Sequence, residues 1–260
     1  MIAALLARDG ALTVTGGVML IGFAVAAVAS MGDRRLILGV NPWLKPMKFF
    51  ASVAIFLLTA AWFMAETRPS PWALALVRWT FVVTMCVELG LICLQAARGT
   101  TSHFNEATPF DAAVFAVMGV AITINTVAAA GLLWLIRLDT PPVRAGYLWG
   151  VRLGLALFII GSLLGFLMVA RKAHTVPAPD GGPGLPFVNW STTRGDLRIA
   201  HFVGLHALQA LPLVGFVLDR TTRFSATERG TLVLAVAVLW LLAVGGLWRR
   251  ALRGRPLVAL

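Results

Sequence analysis

The chain is poor in charged side chains, which make up 13% of its 260 residues, whereas apolar residues make up 59%. This balance excludes an ordinary soluble globular domain, because too few polar residues remain to cover a water-exposed surface. The apolar runs are continuous rather than alternating, and backbone within lipid must satisfy its own hydrogen bonds as helices or a closed barrel. The sequence therefore predicts an all-α, polytopic integral membrane protein.

Cysteine is also scarce, and the two present, Cys86 and Cys93, fall in one apolar run. At 1.5 Å per residue they lie about 10 Å apart along a helix, so they cannot form a disulfide with each other. We interpret them as small apolar fillers that give no information about the redox compartment.

Several functional signatures are missing as well. Basic residues occur singly or in pairs at the ends of apolar runs, so lipid headgroups account for the net charge of +11, and no nucleic-acid partner is expected. Residues 230–248 contain no lysine that could form a Schiff base with retinal. The spacing of His201 and His206 is one residue longer than the HxxxH pair of seven-helix zinc hydrolases. The absence of an internal repeat argues against an inverted-repeat transporter.

Seven apolar runs are each long enough to cross a bilayer. We predict a single domain over residues 1–260, with a bundle of seven transmembrane helices at 11–31, 47–65, 72–96, 111–136, 150–170, 199–218 and 230–248. The first run also resembles a signal peptide with a small-residue cleavage site at Ala27-Val28-Ala29. Its length and the polar flank that follows it favour a retained span.

With seven crossings, the connections after spans one, three and five share one membrane face. That face carries the majority of the Lys and Arg residues, including those of the C-terminal tail. The positive-inside rule therefore predicts a cell-membrane protein with its C-terminus in the cytoplasm and its N-terminus outside. The longest connection, 171–198, is rich in Pro and Gly and is expected to be a lid, a binding loop or disordered.

Glu88 lies well inside the third span, with Thr84, Ile92 and Gln95 on the same helical face. A carboxyl group at membrane depth is costly unless it is paired, protonated or hydrated, so Glu88 is a candidate catalytic or proton-carrying residue. Asn125, near the middle of the fourth span, is a second candidate. The structural alternative is a protonated Glu88 that hydrogen-bonds a neighbouring helix, through Asn125 for example.

All four histidines fall on the face that receives the odd-numbered connections. His103 precedes the fourth span, whose start is indicated by Thr108 as the cap and Pro109 at the first helical position. We expect His103, His201 and His206 to bind a metal or a haem iron, whereas His174 is interpreted as an ordinary interfacial residue.

These residues favour a membrane redox protein that binds haem b or a non-haem transition metal and acts as an oxidoreductase or metal-dependent enzyme. Lys45 and Lys48 lie where the second span begins, in a segment whose backbone is restricted by Pro42 and Pro46, and are placed to neutralise propionates. The expected cofactor-binding residues are Lys45, Lys48, Arg98, Asn105, Arg198 and Gln209. The lipid bilayer is the expected partner, together with an electron donor or another membrane subunit.

Two other classes of function remain open. In the first, Glu88, Asn125, Gln209 and the histidines line a proton or solute path, and Pro212 breaks the sixth span. In the second, the protein is an accessory subunit, and the glycines of span five (Gly150, Gly154, Gly161 and Gly165) dock a partner helix.

Overall fold

A computed structural model describes residues 1–137, 139 and 141–259. It confirms the all-α fold class, since 72% of the chain is helical. The helices are α1 (Ile2–Arg8), α2 (Gly10–Gly32), α3 (Leu44–Met64), α4 (Pro71–Arg98), α5 (Pro109–Leu135), α6 (Ala145–Arg171), α7 (Leu197–Asp219) and α8 (Ala226–Leu252). A 3-10 turn, Pro142–Arg144, precedes α6. Within the described residues, the seven helices from α2 to α8 are long and apolar enough to span a membrane, as the sequence predicts.

Helix ends follow local capping chemistry. α2 begins after Asp9, whose carboxylate accepts a hydrogen bond from the backbone N–H of Leu12 at 3.1 Å. α8 begins with a capping box, in which the side chains of Ser225 and Glu228 each accept a hydrogen bond from the other's backbone N–H. α4 ends at Gly99, which adopts the left-handed conformation that glycine tolerates best.

The chain divides into two compact units. Unit 1 comprises residues 1–65 and 69–131, and therefore contains α1 to α4 and most of α5. Within it, α2 packs closely along α3, because a Cβ at Gly16 would lie 2.9 Å from the side chain of Leu58. Asp9, whose side chain is fully buried, pairs with Arg78 of α4 at 2.6 Å.

Unit 2 comprises residues 66–68 and 132–260. Its centre is the pair α6 and α7, whose backbones approach closely at Gly161 and Gly204, where a Cβ added to either glycine would lie 2.7 Å from backbone of the other. Gly154 makes a similar approach to Ala207. The small residues of α6 therefore serve packing within the chain. α8 adds to this pair, and Trp240 donates a hydrogen bond to the Val203 carbonyl at 2.9 Å.

The expected break at Pro212 is wrong, because α7 continues through this residue from Leu197 to Asp219. Pro212 packs against α6, where a Cβ at Gly150 would lie 2.7 Å from the Pro212 Cα. Close helix contact on this side holds the segment in helical geometry although proline cannot donate a backbone hydrogen bond.

The long connection between α6 and α7 is a folded loop rather than a structureless one. A short antiparallel pair, β1 (Thr175–Val176) and β2 (Gly195–Asp196), brings its two ends together. An isolated bridge between Gly184 and Ser191 closes the segment between them.

Candidate functional site

Glu88 is buried in unit 1 on the face of α4 that its helical spacing predicts. Its exposed fraction is 5%, and Thr84, Ile92 and Gln95 are buried on the same side. Lys45, in the first turn of α3, lies close enough to interact with it electrostatically. Glu88 is therefore a buried carboxyl group at membrane depth with an ammonium group in electrostatic reach.

Asn125 of α5 pairs with Thr84 rather than with Glu88. The Thr84 hydroxyl and the Asn125 side-chain amide are 3.1 Å apart, and both residues are buried. Thr84 lies one helical turn from Glu88, so the Thr84–Asn125 pair is the polar group that follows Glu88 towards the start of α4. The structural alternative for Glu88 named Asn125 as one possible partner, but the hydrogen bond that the described structure gives to the Asn125 side chain comes from Thr84.

A second polar cluster occupies the end of unit 1 where α4 finishes and α5 begins, which we term the Arg98 end. Asp111 forms an ion pair with Arg98 and accepts a hydrogen bond from the Gln95 amide at 2.8 Å. Asp111 also accepts a hydrogen bond from the Thr108 hydroxyl at 2.7 Å, while its own backbone N–H donates to the Thr108 oxygen. The predicted cap at Thr108 is confirmed, and Arg98 serves to join α4 to α5.

His103 lies in the loop at the same end, as the sequence predicts. Its ring contacts the rings of Phe49, Phe104 and Phe115, with centroid distances of 6.0, 6.2 and 6.1 Å. Asn105 stabilises this loop, because its amide nitrogen donates to Thr100 and Thr101 at 3.0 Å. The Lys45 ammonium lies 5.7 Å from the centroid of the Phe49 ring, and Lys48 lies one turn further along α3.

The two histidines of α7 belong to unit 2. His201 Nδ1 is 2.7 Å from the carbonyl oxygen of Gly161 on α6, which leaves Nε2 as the nitrogen for other partners. His206 Nδ1 is 3.3 Å from the Gln209 side-chain oxygen, so these two residues lie on one face of α7. The His206 ring also packs on Phe202, at 4.1 Å between centroids.

The folded loop of unit 2 is held by two carboxylates, of which Asp196 is buried and Asp180 is partly buried. Asp180 pairs with the His174 ring and accepts hydrogen bonds from the backbone N–H groups of His174 and Thr175. Burial alone would raise the pKa of Asp180, but the hydrogen bonds and charge of His174 outweigh it and hold that pKa well below its usual range. Asp196 forms an ion pair with Arg198 at 2.6 Å and accepts a hydrogen bond from the Ser191 backbone.

The expected ligand histidines are thus divided between the units, with His103 in unit 1 and His201 and His206 in unit 2. Across the residues for which the structure gives a description, no three or more His, Cys, Asp or Glu side chains are grouped so that they could hold a metal ion. Unit 1 brings Glu88 and Lys45, which are both expected site residues, within electrostatic reach of each other.

Neither Phe49 nor the connecting role of Asp111 was predicted from the sequence. The signal for Asp111 was available, since Gln95 and Arg98 are three residues apart at the end of one span and Asp111 begins the next. Comparison of the chain with models of protein families, with characterised proteins and with solved structures finds no match.

Proposed function

We propose that this integral membrane protein moves protons across the bilayer through unit 1, with the Glu88 carboxyl group as the residue that takes up and releases the proton. The observation that carries this proposal is a carboxyl group at 5% exposure within a helix long and apolar enough to span the membrane, with the Lys45 ammonium in electrostatic reach. Ionisable side chains at membrane depth are costly, and they commonly mark proton or ion pathways.

Lys45 supports this role through its charge. When Glu88 is ionised, the nearby ammonium group offsets its negative charge, and when Glu88 binds a proton the carboxyl group becomes neutral. Both states are therefore compatible with a poorly hydrated site. A group that is accessible in two protonation states is what a membrane proton carrier requires.

Polar side chains along α4 also extend over the full thickness of a membrane. From Arg78, paired with Asp9, to Arg98, paired with Asp111, the helix rises about 30 Å, which is the thickness of the hydrocarbon core. Glu88 and the Thr84–Asn125 pair lie between these two ion pairs. Unit 1 thus carries polar side chains at several depths of the membrane.

The test is a proton flux measurement in liposomes that contain the purified protein and a trapped pH-sensitive dye. With a potassium gradient and valinomycin as the driving force, the wild-type protein is expected to acidify or alkalinise the lumen faster than empty liposomes do. Glu88→Gln keeps the size of the side chain but cannot titrate, so it should reduce the flux to that of empty liposomes.

Glu106→Gln is the matched control, because it makes the same chemical change at an exposed position in the loop before α5. It should retain the wild-type flux. A wild-type flux no greater than that of empty liposomes, or an undiminished flux in Glu88→Gln, would overturn the proposal.

A second function, binding of haem b or a transition metal, is favoured by one observation in unit 2. The hydrogen bond between His201 Nδ1 and the Gly161 carbonyl fixes the tautomer that leaves Nε2 available as a metal ligand, a common arrangement in metalloproteins. Absorption spectroscopy and metal analysis of the purified protein test this. A Soret band or bound metal that disappears in His201→Ala would support it, and a colourless, metal-free wild-type protein would reject it.

A further inference from the structure

In unit 1, apolar side chains separate Glu88 from the polar cluster at the Arg98 end. On α4, Gln95 and Glu88 are seven residues apart, which corresponds to about 10 Å along the helix. Between them lies Ile92, which packs with Val114 and Met118 of α5, and these three side chains are no more than 5% exposed. Phe49 of α3 packs against them. We term these four residues the apolar layer.

The order of residues on α5 gives the same picture. Asp111, which binds Gln95, comes first, Val114 and Met118 follow in the next two turns, and Asn125, which binds Thr84, lies beyond them. Both helices therefore pass from polar to apolar to polar side chains at matching depths. On the far side of the layer, Glu88 lies one turn from the Thr84–Asn125 pair, without an apolar layer of this kind between them.

Phe49 differs from the other members of the layer, because it is only partly buried and also touches groups outside it. Its ring makes an edge-to-face contact with His103, at 6.0 Å between centroids, and lies 5.7 Å from the Lys45 ammonium. A rotation of the Phe49 side chain would therefore change the layer, the loop that carries His103 and the surroundings of Lys45 at the same time.

We propose that the apolar layer is a gate, closed in this conformation, that separates Glu88 from water at the Arg98 end and opens when Phe49 moves. The identity of the proton as the species that passes rests on the proposed function, whereas the barrier to water-soluble molecules follows from packing alone. A dry apolar constriction is sufficient to block ions and water in a membrane protein.

The experiment measures access to the position of Glu88 with a small, charged methanethiosulfonate reagent that does not cross membranes. Cys86 and Cys93 are first replaced by alanine, and Glu88→Cys then supplies the one reactive thiol. In liposomes with the Arg98 end outside, modification should be slow. Adding Phe49→Ala should accelerate it by about tenfold or more, because the truncation removes much of the packing that closes the layer.

Phe187→Ala is the matched control, since it makes the same truncation at a half-exposed position in the loop of unit 2. It should leave the rate unchanged. Fast modification of the Glu88→Cys thiol while Phe49 is intact would overturn the gate. So would a modification rate that is the same with and without Phe49→Ala. If Glu88→Cys does not fold, Ala121→Cys places the thiol at a buried position on α5, one turn beyond Met118 as seen from the Arg98 end. The same slow modification, accelerated by Phe49→Ala, is expected there.

Proton flux separates this inference from the proposed function. If both are correct, Phe49→Ala raises the flux in the protein that retains Glu88. If the thiol becomes accessible in the Phe49→Ala background but Glu88→Gln does not alter proton flux, the gate stands and the proton-carrying role of Glu88 is wrong.

Discussion

The contact between α6 and α7 predicts a measurable loss of stability when alanine replaces Gly161. The added Cβ would lie 2.7 Å from the Gly204 carbonyl carbon and from the Leu205 nitrogen, whereas ordinary contacts begin at 3.4 Å. The two helices must therefore separate by about 0.7 Å at this point, because neither backbone can rotate away as a flexible side chain would.

The expected free-energy change follows from two opposing effects. Forced expansion of a well-packed contact costs about 3 kcal/mol at the upper end of measured values. Alanine is a better helix former than glycine by about 1 kcal/mol, which offsets part of this cost. We expect Gly161→Ala to lower the free energy of unfolding by about 2 kcal/mol.

Equilibrium unfolding in mixed micelles of mild detergent and dodecyl sulfate, followed by tryptophan fluorescence, measures this difference. Gly245→Ala is the matched control, because a Cβ at this position in α8 meets nothing within 4 Å. The control should be neutral or slightly stabilising. Equal stability of the two variants would refute the inference that the α6–α7 backbones are in contact.

Two further predictions concern the carboxylates of Asp111 and Asp180. Asp111→Ala should lower the free energy of unfolding by about 2 to 3 kcal/mol, because it removes the ion pair with Arg98 and the carboxylate that accepts hydrogen bonds from Gln95 and Thr108. The same titration measures this loss, and a loss of less than about 0.5 kcal/mol, as for a typical surface substitution, would contradict these contacts. Because the folded-state pKa of Asp180 is lowered, its pairing with His174 stabilises the loop above about pH 4 and is lost as the pH falls further. The protection of residues 172–196 against hydrogen exchange, relative to the intrinsic rate at each pH, should therefore fall below this pH in the wild-type protein, whereas Asp180→Asn should show low protection at neutral pH as well.

The spans could be predicted from the sequence because a bilayer requires about 20 consecutive apolar residues, and each run meets that requirement by itself. The start of α5 was also predictable, since Thr108 and Pro109 are local signals. The buried face of α4 followed from the spacing of Thr84 and Glu88 along a helix. In each case the information lies within a single helix.

Contacts between helices could not be predicted in the same way. Periodicity shows which face of α4 is buried but not which helix covers it, so the pairing of Asn125 with Thr84 rather than Glu88 was inaccessible. The continuity of α7 at Pro212 likewise depends on its neighbour α6. His174 was interpreted as an ordinary interfacial residue because its partner, Asp180, is brought to it only by the fold of the loop.

The ion pair between Asp9 and Arg78 has a consequence for how the protein is made. The two residues are separated by 69 positions, and the Asp9 side chain is fully buried once they have paired. During synthesis the N-terminal end leaves the ribosome first, so Asp9 must wait until two further helices have been inserted before Arg78 reaches it. An unpaired carboxylate is costly in lipid, so the start of α2 has to remain near water until that stage. The start of α2 can therefore reach its final depth in the membrane only after Arg78 has been inserted.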